Sequence, residues 1–169
     1  MEQIVMSTLN DIVSDVIKRE GGSTATNDPS DRGGRTQYGI SERVHPEAWT
    51  DNKVTEKEAR EIFLAKYVVW PGYHRIPASH QKVQAQLIDF GVLSGPNIAT
   101  QKLQLVLGAK PDGIFGPKTL ATLVTRDQRE VCNLLAVRRA LMIGRLVKKN
   151  PSDLVYLNGW LDRALSFVY

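Results

Sequence analysis

Residues 18–36 read K-R-E-G-G-S-T-A-T-N-D-P-S-D-R-G-G-R-T. A surface turn needs only two or three residues of this kind. Here Glu20, Asp28, Asp31 and Thr36 are spread among four glycines, more than a simple connection requires. Upstream, Ile4, Val5, Leu9, Ile12, Val13, Val16 and Ile17 recur at helical spacing. Residues 2–20 are therefore expected to form an amphipathic helix, stopped by Gly21-Gly22. Glu20 then falls at or near the helix C-terminus, where the helix dipole opposes a carboxylate. A solvent-facing glutamate beside an ordinary cap is the plain alternative. Downstream, R-G-G-R-T-Q-Y-G-I predicts two short strands around Gly33-Gly34, since paired glycines supply the positive φ of a tight turn.

The remainder of the chain reads as helices. Thr55-Glu56-Lys57-Glu58 is a capping box, leading into Ala59, Ile62, Phe63, Tyr67 and Trp70 before Pro71-Gly72. A third helix is expected after Ser79, with Gly91, Gly95 and Pro96 interrupting or ending it. Pro96 suits the first turn of a fourth, which Gly108 ends. The turn segment K-P-D-G-I-F-G-P-K-T precedes L-A-T-L-V, with Ile114 and Phe115 read as core. Asp127 and Glu130 start the longest apolar run, to about Lys148, and a last helix follows Pro151. The expected fold is mainly α, with six or seven helices and a small glycine-rich β-hairpin insert.

At 169 residues and 42 % hydrophobic content, the chain suits one globular domain spanning residues 1–169. A formal charge of +4 and a pI near 9.3 favour an anionic partner. Nucleic acid is not expected, because no recognition helix is evident. No run approaches the roughly 18 apolar residues of a membrane span, so no stable membrane insertion is expected. The acid-bearing N-terminus does not read as a signal peptide. Cys132 is the only cysteine, which excludes an intramolecular disulfide and a thiolate cluster; it reads as a buried thiol. His45, His74 and His80 form no spaced ligand pair and read as surface residues. Neither a metal nor an organic cofactor is expected, and the nucleophile-elbow, P-loop and dinucleotide motifs are missing.

Carboxylate chemistry remains. Glycosidic cleavage uses one protonated acid for the leaving oxygen and often a second carboxylate for water or positive charge. Desolvation and a helix C-terminus both favour a neutral acid, and Glu20 occupies such a place. Asp31 and Thr36 lie on opposite sides of Gly33-Gly34, so a hairpin there would bring a carboxylate and a hydroxyl to face Glu20. A structured but inert loop has the same residues.

The stretch Glu20-Gly21-Gly22, Asn27-Asp28-Pro29, Asp31, Gly33-Gly34, Thr36 and Gly39-Ile40-Ser41 resembles the signature of glycoside hydrolase family 108, the phage and bacterial N-acetylmuramidases. D-G-I-F-G-P-K-T (112–119) is similar to the peptidoglycan-binding element of the same proteins, and L-N-G-W-L-D-R (157–163) to their closing helix. The resemblance covers nearly the whole chain. It implies a lysozyme-like fold, a peptidoglycan substrate and Glu20 as the catalytic acid. Residues 96–169 would be a helical part resembling the family's peptidoglycan-binding region, not independent of the rest.

A second likeness, to phage lysozymes with a helix followed by a hairpin, gives Asp31 and Thr36 the water-holding roles. Asp28 is the rival for Asp31, although N-D-P suits a local turn. Asp28, Arg35, Tyr38 and Asp89 are assigned to substrate binding. Leu93 in D-F-G-V-L-S-G stands where the family commonly has asparagine. Trp160, at helical spacing, reads as core. The expected protein is a monomeric endolysin, made in the host cytoplasm, released with the help of a holin and acting on periplasmic glycan strands to lyse the host.

Overall fold

A computed structural model of the chain describes residues 2–25 and 34–169, with side chains from Leu9 onward. Asp28 and Asp31 lie outside the described residues. The chain divides into two compact units, Met1–Val69 and Trp70–Tyr169. Among the described residues the fold is mainly α, with seven α-helices and one small antiparallel hairpin.

Unit 1 contains helix α1 (Glu2–Arg19), strands β1 (Thr36–Gln37) and β2 (Ile40–Ser41), and helix α2 (Glu56–Phe63). The predicted apolar face of α1 is buried through Leu9, Ile12, Val13, Val16 and Ile17. Together with Ile40, Trp49, Val54, Ala59, Phe63 and Val68, these side chains form the unit's core. The capping box at α2 is complete: Glu58 N–H donates to Thr55 Oγ1 at 3.3 Å, and Thr55 N–H donates to Glu58 Oε2 at 2.8 Å. The helix expected to continue to Trp70 instead changes winding. Residues Leu64–Val69 form a π-helix, a wider turn that inserts an extra residue and re-aims the side chains after it.

Unit 2 holds α3 (Gln81–Ser94), α4 (Pro96–Leu107), α5 (Pro117–Val124), α6 (Gln128–Lys149) and α7 (Leu157–Leu165). Helix α6 packs on α3, α4 and α7, burying Val131, Cys132, Leu135, Ala136 and Ile143. Asp127 caps it by accepting from Glu130 N–H at 2.9 Å. Gly91 does not break α3 as predicted; it lies inside the helix, and a Cβ there would sit 3.4 Å from Pro96 Cα. Its role is close approach, and Gly95, at φ +86, ends the helix.

Two histidines differ from expectation. His45 and His80 are buried, at 3 % and 6 % exposure. The His45 ring lies 3.0 Å from Lys66 Nζ, and His80 Nε2 lies 2.9 Å from the Arg126 carbonyl. His74 is exposed as expected. Buried polar rings need such partners, and those partners lie far along the chain, where spacing gives no sign of them.

Candidate functional site

Backbone hydrogen bonds place Glu20. Gly22 N–H donates to the Ile17 carbonyl at 3.1 Å, and Gly21 N–H to that of Lys18 at 3.3 Å. This is a Schellman arrangement, with Gly21 left-handed at φ +93 and Glu20 as the final capping residue of α1. The glutamate thus stands at the helix end the sequence indicates. Its Oε1 is closed off from solvent, although the residue as a whole is only partly buried. Lys18 and Arg19 in the last turn set positive charge beside the negative end of the dipole.

The hairpin supplies the facing surface, but its turn is not where the sequence suggests. Thr36 pairs with Ser41 and Gln37 with Ile40, so Tyr38-Gly39 is the two-residue turn. Both residues have positive φ, +51 and +77, as a type I′ turn requires. Gly33-Gly34 is therefore not the apex, and Thr36 opens β1. A Cβ added at Gly39 would lie 2.6 Å from Glu20 Cβ, 2.8 Å from its Cγ and 3.2 Å from Phe63 Cζ. Only glycine lets the turn approach the glutamate this closely.

Further bonds tie the hairpin to its surroundings. Tyr38 N–H donates to the Gly22 carbonyl at 2.9 Å, joining the turn to the helix end that carries Glu20. Gln37 bridges two loops: its Nε2 donates to the Ser23 carbonyl at 3.1 Å, and its Oε1 accepts from Val54 N–H at 3.0 Å. Neither Gln37 nor Gly39 is a sequence-predicted site residue. Thr36 Oγ1 donates to the Gly34 carbonyl at 3.4 Å.

The π-helix contributes Tyr67. Its ring packs against Phe63 with centroids 5.6 Å apart. Burial, and next the charge of Glu20, push its phenol above the ordinary tyrosine range. Glu20, Gly39, Phe63 and Tyr67 thus form one cluster at the end of α1. The sequence places Tyr67 only on a helical face, because the change to π winding has no compositional signal.

Arg35 and Asp89, both assigned to substrate binding, are occupied within the protein. Arg35 donates from Nε and Nη2 to the two oxygens of Glu42, each at 2.7 Å, and lies over the Trp49 ring at 4.9 Å. These charge-assisted bonds raise its pKa and lower that of Glu42. Asp89 is 1 % exposed. It accepts from Arg139 Nη1 at 2.7 Å and from Arg163 Nε at 2.9 Å. This geometry holds the carboxylate inside unit 2, between two arginines.

Cys132 is buried as expected, and burial pushes its thiol up to about 11. In the 110–119 turn, Gln104 supplies a polar anchor. Its Nε2 donates to Asp112 Oδ1 at 2.7 Å and to the Ile114 carbonyl at 3.1 Å, while its Oε1 accepts from Gly113 N–H at 2.9 Å. Phe115 is core, but Ile114 is 68 % exposed, contrary to prediction. The backbone at 113–114 is held by polar bonds, so the Ile114 side chain is left outside. No cluster of three or more metal-ligating side chains occurs among the described residues, and no helix there is long and apolar enough to cross a membrane.

Residues 13–95 match the family model for glycosyl hydrolase 108, and residues 98–165 match one described as a predicted peptidoglycan domain. The structure of SagA from Brucella abortus is similar to this chain, at 28 % sequence identity, with 96 % of each chain covered and a TM-score of 0.72. No curated protein matches. The hydrolase match takes in Glu20, the hairpin and Tyr67, and continues through α3.

Proposed function

We propose that this chain, a glycosyl hydrolase 108 domain with an adjacent peptidoglycan domain, is a muramidase. It cleaves the β-1,4 bond between N-acetylmuramic acid and N-acetylglucosamine in peptidoglycan. The observation carrying this reading is the seating of Glu20 on the α1 cap, against the glycine turn of the hairpin. An acid with one oxygen out of solvent can donate a proton to the leaving glycosidic oxygen. Asp31, five residues before β1, together with Thr36 on β1, positions water or stabilises the positive charge that develops on the sugar. Tyr38 lines the glycan groove, and Asp28 is a further substrate-binding residue. No metal or organic cofactor is called for.

In this reading the protein is a monomeric endolysin. It is made in the host cytoplasm, reaches the periplasmic wall through holes formed by a holin and lyses the cell, with no part for nucleic acid or membrane insertion.

Turnover on purified peptidoglycan, with circular dichroism and melting temperature as controls, tests the roles. Glu20→Gln is nearly isosteric but has no proton to give, so the rate should fall about 100-fold or more. A folded Glu20→Gln protein keeping a tenth of the rate would remove the acid from Glu20. Asp31→Asn should lower turnover far more than Asp28→Asn, which should mainly lower the melting temperature; the reverse pattern exchanges the two roles. Mass spectrometry of the fragments should show addition of water. An anhydro-muramic product would instead mark a lytic transglycosylase.

A further inference from the structure

Unit 2 has a cavity of about 180 Å³ that the chemistry above does not use. Its wall includes Leu93, Met142, Ile143 and Trp160, and Ser94 and Arg139 are its polar members. Trp160, expected to be core, is partly exposed. It stacks on Tyr156, with ring centroids 5.6 Å apart and planes inclined at 28°, and Tyr156 is 58 % exposed. Arg139 is 1 % exposed, is bonded to Asp89 and lies over the Phe90 ring at 5.0 Å.

These features narrow the chemistry of an occupant. A solvent-accessible stacked aromatic pair suits the C–H face of a pyranose. A small, mainly aliphatic cavity accepts a methyl-bearing group in preference to a ring covered with hydroxyls. Arg139 is bonded to Asp89, a carboxylate it shares with Arg163, and it is the aliphatic lining that favours a methyl-bearing group.

We propose that this cavity is a glycan subsite. It receives the acetamido methyl of an N-acetylated amino sugar beside Trp160, while the pyranose face lies on the exposed Tyr156 ring that stacks on that indole. The inference rests on the reading of peptidoglycan as substrate, and it gives unit 2 a sugar contact separate from Glu20.

The test uses the full chain carrying Glu20→Gln, so that strands stay intact during binding. The indole N–H resonance of Trp160, assigned with Trp160→Phe, should move on titration with N,N′-diacetylchitobiose. It should not move with cellobiose, which keeps the two pyranose rings but lacks the acetamido groups. Sedimentation with peptide-free glycan strands should weaken about tenfold in Tyr156→Ala or Trp160→Ala. Tyr156 is exposed, so its variant keeps the test valid if Trp160→Ala unfolds. An equal response to cellobiose, undiminished retention in folded Tyr156→Ala, or a loss seen only when stem peptides are attached would each overturn the proposal. Full activity in Glu20→Gln would remove the acid role from Glu20 and leave the indole titration, which needs no turnover, to decide the subsite alone.

Discussion

Gly39 carries the tightest constraint at the candidate site. Any side chain there must adopt φ +77 and would meet the stem of Glu20 at 2.6 Å. The obstacle is the glutamate's Cβ, anchored to the end of α1, and not a flexible tip that can swing aside. Gly39→Ala is expected to cost about 1–2 kcal/mol in backbone strain. Turnover should fall further than that strain accounts for, about 100-fold, because small misplacement of a reacting group has effects of that order. Rate and melting temperature measured on the same preparation check this; a folded variant with the wild-type rate would uncouple Glu20 from the turn. Glu20 itself was legible in the sequence, since an apolar periodicity ending in glutamate and two glycines marks a helix end. Asp89 was not, because its partners Arg139 and Arg163 lie 50 and 74 residues further on. A motif places such a residue in sequence but cannot tell which way its carboxylate faces.

At the scale of elements, the helices followed from periodicity, caps and prolines, and the departures occur where backbone conformation is unusual. Asn-Gly or Asp-Gly would have announced a type I′ turn, whereas Tyr-Gly does not, so the neighbouring Gly33-Gly34 pair drew the prediction. The π-helix at Leu64–Val69 is likewise invisible to composition. The 110–119 segment makes the same point with a polar anchor. A glutamine on α4, itself 2 % exposed, gathers the turn, and its bond from Gly113 N–H is buried. Gln104→Ala is expected to cost at least ~2 kcal/mol, because it leaves buried polar groups unmatched. Denaturant unfolding measures this, and turnover of a short soluble glycan at low temperature should be unaffected. An unchanged midpoint would mean that the turn is held by other contacts.

For the molecule as a whole, two boundaries disagree. The hydrolase family match runs to residue 95, yet the first compact unit ends at Val69. Helix α3 matches the hydrolase family by sequence but packs with α4 and α6. Asp89 on α3 fastens it there, shared between Arg139 of α6 and Arg163 of α7. Removing the charge of a buried carboxylate from such a pairing costs about 3–5 kcal/mol. Asp89→Asn should therefore lower the Tm by roughly 10 °C. Binding to sacculi below that Tm should remain, as expected of a residue that holds helices and does not touch sugar. A stable Asp89→Asn protein with weakened binding would restore the sugar-contact role.

The Schellman closure of α1 has a consequence for how such a protein can change over time. The position of Glu20 is set by main-chain amides meeting the carbonyls of Val16, Ile17 and Lys18, and any amino acid supplies a carbonyl. Exposed positions such as Asp11 and Asp15 can drift without moving the acid. What cannot drift freely is a small set of residues with left-handed backbone: Gly21 and Gly22 on one side, Gly39 on the other. Evolutionary freedom and catalytic placement are thereby carried by different atoms, the one by side chains along the helix and the other by the backbone at its end.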